Sequence, residues 1–408
     1  MQRIEAKTLL PGAGEPVTDG VVVLDGPSIT YAGPAAEAPA TPGAEVSQAP
    51  AVMPGMWDCH GHILGTAKFS GAELGFTHMS VRGARAVGDL RVALDAGVTS
   101  VREVGGIGIF LAGAVADGSI AGPWLHAAGA VLSTTGGHGD FHELPLEWLH
   151  SLTERGVELR ICDGPQECVR AVREQLRREA KVIKVCTSGG IISKVDDPEH
   201  QQFRTDELAA IVEVAGMAGR IVAAHAHGKA GIIAALEAGV GTIEHGTYLD
   251  EECCDGMRET GTILVTTRLV FDSLAHSPSL PDHAKRKFDK IGHRHAEAIA
   301  LAHERGVTIA SGTDIGFSAG TEVMAWGQNG REPQLLVESG LTPLEAIEAV
   351  TATGPRTLGP QAPRSGQLAA GYDADVLTLD ADPVADISVL ADPDHITGVW
   401  RGGVRFKG

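Results

Sequence analysis

Residues 220–246 read RIVAAHAHGKAGIIAALEAGVGTIEHG, and the fold of the whole chain follows from how this stretch is read. RIVAAHAH (220–227) opens on an apolar run without strict alternation, as in a strand buried on both faces of a parallel sheet. Lys229–Ala238 carries apolar residues at helical spacing, and Gly239 stands where a C-terminal cap is expected. GTIEHG (241–246) then begins a second short strand, which makes the segment a strand–helix–strand unit. The same rhythm continues on both sides. Further candidate strands are the run ending in WDCHGH (57–62), GVTSVREV (97–104), PWLHAAGAVL (123–132), KVIKVC (181–186), TILVTT (262–267) and VTIASGTD (307–314). Helical segments such as Thr205–Ala218 and Ala284–Arg305 lie between them, and Gly97, Gly219 and Gly306 follow helices as caps do. Eight such units over residues 54–356 predict an α/β fold, a (β/α)8 TIM barrel. A doubly wound sheet is the alternative, but no GxGxxG follows a first strand and opens a helix.

The two ends have a different character. VVVLDGPSITYAG (21–33) reads as two strands around an Asp-Gly turn, APATPGAEVSQAPAVMPG (38–55) as a Pro/Ala-rich linker, and ITGVWRGGVRFKG (396–408) as a hairpin around Gly402-Gly403. Residues 1–53 and 357–408 are therefore expected to form one small β-sandwich module, split in sequence by the barrel.

Composition narrows the function. The 408 residues hold 33 Lys plus Arg against 52 Asp plus Glu, a net charge of −19 that disfavours a nucleic-acid surface or a basic membrane-binding one. The N-terminal MQRIEAKTLLPGAGEP has no apolar leader core, and the six cysteines form no CxxC pair. A cytoplasmic protein with reduced thiols is expected, with Cys253 and Cys254 as plain adjacent thiols.

A barrel carries its chemistry at the C-terminal ends of its strands, so the polar residues there matter most. Two HxH pairs, His60/His62 and His225/His227, lie on strands, where period two turns both imidazoles to one face. Converging neutral imidazoles suit Zn²⁺ or a similar metal, although a buried, hydrogen-bonded histidine pair is the plainer reading of His60 and His62. The third pair, His293/His295, lies with His303 on a helix and reads as a solvated face. Lys184, inside Val-Ile-Lys-Val-Cys, is either paired with a carboxylate at the barrel mouth or neutral enough to form a carbamate, an anionic ligand able to bridge two cations. Asp314 ends the last strand without a helix to cap, which suits metal binding and proton transfer.

In order along the chain, PGMWDCHGHILG (54–65), TTGGHGD (134–140), IKVCTSGG (183–190), AHAHGKAGI (224–232), IEHGTYLD (243–250), SGTD (311–314) and the tail GQLAAGYDADVLTLDADP (366–383) resemble the amidohydrolase superfamily. Within it they are most similar to the imidazolonepropionase-like branch, with its Xaa-Pro dipeptidases, Arg/Lys carboxypeptidases and ochratoxin-type amidases. The resemblance implies two divalent ions, most simply zinc. His60, His62 and Asp314 would hold one; His225 and His245 would hold the other; a Lys184 carbamate would bridge them. The 20-residue spacing to His245 matches the branch for His225 and leaves His227 to the substrate pocket. His138 and Tyr248 are implied as further substrate contacts, and Asp314 and His227 as catalytic. Arg268, where variation is expected, either forks onto a substrate carboxylate or makes a surface ion pair. His142 reads as a rim residue and His150 as structural. The implied reaction is hydrolysis of the amide bond of dipeptides or N-acyl amino acids, and homo-oligomers are common in the branch. A cyclic amide, carbamate or urea substrate is the alternative, and a non-catalytic barrel scaffold a more distant one.

Overall fold

The computed structural model of the chain describes residues 1–67, 71–277, 280–318, 320 and 324–408. It opens with strands β1 (Gln2–Leu9), β2 (Val17–Asp25), β3 (Ser28–Pro34) and β4 (Glu45–Pro54). Ten short strands follow: β5 (Met56–Gly61), β6 (Val98–Glu103), β7 (Trp124–Ala127), β8 (Val131–Ser133), β9 (Leu159–Ile161), β10 (Ile183–Cys186), β11 (Val222–Ala226), β12 (Thr242–His245), β13 (Ile263–Val265) and β14 (Ile309–Ala310). β15 (Val376–Leu379), β16 (Ile396–Arg401) and β17 (Val404–Lys407) close the chain.

The strands from the two ends form one seven-stranded sheet in the order β17-β16-β15-β4-β1-β2-β3. The Pro/Ala-rich stretch is thus not a linker. Its second half is β4, parallel to β1 and antiparallel to β15. Side chains that alternate between faces and partners on both edges outweigh the breaker-rich composition. One face of the sheet, with Met53, Leu377, Leu379 and Val399, packs on Leu94, Ile347 and Val350 of the barrel helices; the other gathers Ile4, Leu9, Val22, Leu24 and Trp400.

The middle of the chain is the (β/α)8 barrel. β10 to β14 pair in parallel succession, and β5, β6 and β7 form a second parallel run. Both seams carry backbone hydrogen bonds. Lys181 N donates to Ala127 O at 2.9 Å, Cys59 N to Ser311 O at 2.9 Å, Asp314 N to His60 O at 2.7 Å and His62 N to Ile315 O at 2.8 Å. The expected strand 123–132 is broken in two by Gly129 (φ 79°), so that β7 pairs with β6 while β8 pairs with β10 and, on its other edge, with β9. The helical segment expected at 284–305 likewise divides, into Asp282–Ile291 and Arg294–Glu304. Helix Thr205–Met217 seats Leu208, Ile211 and Ala215 in the main core beside Ile232 and Ala235 of helix Lys229–Ala238. All six cysteines are buried free thiols. Among the described residues, no helix is long and apolar enough to cross a membrane.

Asp375 joins the terminal sheet to the barrel. Its Oδ1 accepts from Gly402 N at 2.7 Å and from Trp124 Nε1 of β7 at 3.3 Å, and burial pushes its carboxyl up to about 7. The folded protein therefore binds this proton more tightly than the unfolded chain. The contribution of Asp375 to stability is complete below the ordinary carboxyl range and is lost as pH rises through about 7. Asp375→Asn keeps the accepting oxygen and removes the titration. The urea midpoint of the parent should fall relative to that of D375N between about pH 5 and about pH 8. A difference that stays constant across this window would refute the assignment.

Candidate metal and catalytic centre

The strand ends bring two groups of three potential ligands together. His60, His62 and Asp314 form one, and His225, His227 and His245 the other; in each group the candidate ligand atoms lie within 4.8 Å of one another. Asp314 Oδ1 is 3.0 Å from His62 Nε2 and 3.5 Å from His60 Nε2. The His60 and His245 rings, 4.9 Å apart, connect the groups. Lys184, on β10, points its Nζ at His60 Nε2 from 3.5 Å and makes no ion pair among the described residues, so the carboxylate-paired reading of this lysine finds no partner there.

Burial sets the charge state of these groups. It lowers His60 to about 4, helped by Lys184, and His227 to about 3, helped by His138. His225 and His245 are held well below the usual imidazole range for the same reason, and burial lowers Lys184 as well. Burial would raise Asp314, but His60 and His62 outweigh it and hold this carboxyl down at about 2. Near neutral pH, most of the cluster thus consists of neutral imidazoles beside an ionised carboxylate, the protonation that metal ligation requires.

Several supporting groups escape a reading of the strands alone. Glu244, between Ile243 and His245 on β12, accepts from His60 Nδ1 at 2.7 Å, and Arg102 Nη2 lies 2.7 Å from each of its carboxylate oxygens. Arg102 is fully buried and also donates to Cys59 O at 2.6 Å, Thr242 Oγ1 at 3.1 Å and Thr357 O at 3.2 Å. Asp58 accepts from His60 N and Thr313 N at 3.1 Å each and from Asn329 Nδ2 at 2.7 Å, tying β5 to the last strand end. His245, Thr267 and Asp314, at the ends of the sixth, seventh and eighth barrel strands, all adopt left-handed backbone (φ 71°, 54° and 60°). Such a conformation costs a non-glycine residue about 1–2 kcal/mol. Local bonds hold it in place: Thr267 Oγ1 meets His245 Nδ1 at 2.7 Å, and the Glu332 carboxylate accepts from Thr266 Oγ1, Arg268 N and Leu269 N. His295 corrects the solvated-helix expectation. It is fully buried, stacked on Phe271 at 3.7 Å, with Nε2 3.1 Å from His245 O, while His293 is exposed and His303 pairs with Glu345 at the surface.

A cavity of about 520 Å³ opens over the cluster. His138 and His227 both line it. His138 stacks on His225 at 4.2 Å with Nδ1 3.0 Å from Ser193 Oγ, and His227 Nδ1 is held by Thr247 Oγ1 at 2.8 Å. His142 lines it as well, and His150 is exposed. Tyr248 and Arg268 are not brought to its wall. Tyr248 donates its hydroxyl to Glu199 at 2.7 Å beneath Arg294, and Arg268 starts the helix that Glu332 caps.

Residues 51–405 match the model of the amidohydrolase family. The chain belongs to this family. It is 41% identical over 99% of its length to ochratoxinase from Aspergillus niger, covering 86% of that protein. The crystal structure of A. niger ochratoxinase superposes with a TM-score of 0.92 at 42% identity, covering the whole of this chain and 95% of that one. A prolidase solved with N-methylphosphonate-L-proline follows at a TM-score of 0.90 and 30% identity, with 100% of this chain and 99% of that chain covered. The chain is accordingly a hydrolase acting on amide bonds.

The Arg102–Glu244 pair under the cluster is open to a direct test. Arg102→Leu strands a buried carboxylate, and stability should fall by about 3–5 kcal/mol in chemical denaturation. A loss below about 1 kcal/mol would mean that the pair carries no such load.

Proposed function

We propose that this amidohydrolase works with two divalent metal ions, most simply zinc, and cleaves the amide bond of dipeptides or N-acyl amino acids. The observation that carries the reading is the pair of three-ligand groups with a buried lysine, 3.5 Å from His60 Nε2, that makes no ion pair among the described residues. On this reading His60, His62 and Asp314 would hold one ion and His225 and His245 the other, and Lys184 would serve as a further ligand in the form of its carbamate. The donor set fits. His60, His225 and His245 are neutral by burial, the carboxylate of Asp314 is ionised, and a depressed lysine has the free amine that carbamate formation needs. Bound there, the ions would supply Lewis acidity, lowering the pKa of a water between them and polarising the scissile carbonyl.

The side chains do the rest. Asp314 takes a proton from the attacking water at its carboxylate and returns it to the leaving nitrogen. His227, its Nδ1 engaged by Thr247, keeps Nε2 for the substrate, and His138, anchored by Ser193, does the same from the opposite wall. Tyr248 stands outside the cavity wall and packs behind its Ile191 and Phe271 stretch, and Arg268 is not among the lining residues. Residues 54–356 are read as the catalytic barrel, with 1–53 and 357–408 as its supporting module. The net charge of −19 and the buried free thiols support a cytoplasmic protein without a nucleic-acid or membrane partner.

Hydrolysis of a dipeptide and N-acyl amino acid library should vanish after complete chelation and return on adding Zn²⁺; activity that survives full metal removal would sink the reading. Three histidines meet at the second group, so ligand and substrate roles need separating. His225→Asn should lose one metal equivalent by elemental analysis. His227→Asn should keep two equivalents while kcat/KM falls about 10²-fold. The opposite pattern would exchange the two roles.

A further inference from the structure

His138 reaches the cavity from the loop after β8, but its ring is placed by the loop that follows β10. The ring stacks on His225 at 4.2 Å. It also lies against Gly190, so closely that a Cβ at that position would stand 2.1 Å from its Nδ1 and Cε1. Gly190 is therefore needed for space, since its φ lies outside the left-handed region. At the edge of the ring, Nδ1 is 3.0 Å from Ser193 Oγ. The backbone of His138 is held elsewhere, by Gln202 Oε1 at 3.1 Å.

Gly190 and Ser193 belong to the tip of the β10 loop, residues 190–196, and helix Asp282–Ile291 pins this tip chiefly through Lys287. Its Nζ donates to Gly190 O at 2.9 Å, Ser193 O at 2.7 Å and Asp196 Oδ1 at 3.2 Å. An ammonium has three donors, and all three go to this one loop. His283, on the same helix, adds a contact from its Nε2 to Ile192 O at 2.9 Å. Asp196 Oδ2 accepts from Gly190 N at 2.7 Å, which closes the tip on itself. The side chains of Lys287 and Asp196 are only 16% and 3% exposed, so their ion pair is not a weak surface bridge.

The neck of the loop is tied independently. Ser188 bridges Gln201, Gly189 N donates to His200 O at 3.2 Å, and Gln202 N donates to Thr187 O at 3.0 Å. Lys287 thus fixes the two groups that locate the His138 ring and leaves the neck alone. Asp196 Oδ2 is 3.8 Å from His138 Nδ1, beyond hydrogen-bonding range. Without the ammonium, this buried carboxylate is short of a donor, and a small shift brings it onto the imidazole.

We propose that Lys287 is a positioning residue: it holds the tip of the β10 loop so that His138 presents its ring to the substrate beside His225. The kinetic consequence rests on the amide-hydrolase reading, whereas the placement of the ring does not.

Lys287→Met removes the ammonium and keeps an apolar stem. With an N-acyl amino acid that the metal-loaded parent cleaves, kcat/KM should fall about tenfold, while Lys287→Arg, which keeps a cation with donors, should stay within about threefold. The double variant decides the route. His138→Ala already removes the group being positioned, so adding Lys287→Met to H138A should change kcat/KM less than about twofold. A lysine that only stabilised the fold would leave kcat/KM of the folded K287M enzyme at the parent value. One that acted on another group would cost the same factor in both backgrounds, and either result overturns the proposal. Gly190→Ala displaces the ring with Lys287 in place. It should lower kcat/KM in the parent and not in H138A, and an equal loss in both breaks the link from loop to ring. NMR of histidine-labelled, metal-free protein reads the ring without activity. The signals of His138, assigned by their absence in H138A, should move in K287M while those of the exposed His150 stay. Unmoved His138 signals would overturn the proposal. A parent that cleaves no amide would bring down the amide-hydrolase reading alone, and the NMR comparison would still decide the role of Lys287.

Discussion

The chain of contacts from Arg102 through Glu244 to His60 is the constraint on which the centre depends. Arg102 comes from the second barrel strand and Glu244 from the sixth, and they meet inside the barrel, beneath the strand ends. Neither charge reaches solvent. A guanidinium and a carboxylate so placed are tolerable only when almost every donor and acceptor is used, and Arg102 accordingly reaches Cys59, Thr242 and Thr357 as well. The return is orientation. With Glu244 Oε2 on His60 Nδ1, the imidazole has one tautomer and one rotation open to it, and its Nε2 faces Asp314 and Lys184.

The upper rim is built differently, from backbone held in an unfavourable region. Strict alternation would send Glu244 and His245 to opposite faces of β12, yet both serve the same centre. The left-handed turn at His245 reconciles them by lifting the last side chain of the strand over the barrel mouth. The same device at Asp314 carries its carboxylate to His62. The cost at three successive strand ends is met by packing behind them: His295 on the carbonyl of His245, Thr267 on its imidazole and Glu332 on the amides of Arg268 and Leu269.

What the sequence reveals divides along the same line. Short apolar strands separated by capped helices express the barrel directly, and HxH on a strand places two rings on one face because the strand period is two. Contacts set by tertiary packing leave no such mark. Arg102 and Glu244 are 142 residues apart, and nothing near either names the other. His295 has the spacing of a solvated helix and is buried only because that helix leans on the end of β12. Tyr248 and Arg268 follow strand ends in sequence, yet neither is among the residues that line the cavity. Composition misleads in β4, where Pro50 and Pro54 suggest a linker although the segment pairs along both edges.

Charge balance at the centre accounts for the place of Lys184 on the proposed reading. Arg102 and Glu244 cancel, and so do Asp314 and a protonated Lys184, which leaves a cluster without net negative charge in which His60, His225, His227 and His245 are held neutral. Two divalent cations would enter such a cluster against a deficit of negative charge. Converting Lys184 from an ammonium to a carbamate shifts the centre by two units in the direction the ions require. It also removes the cation that lowers the basicity of His60, His225 and His245. On that reading the residue that opposes metal binding as an ammonium would, as its carbamate, be the ligand that favours it. Its burial on β10 among histidines, with no ion pair among the described residues, would allow that change.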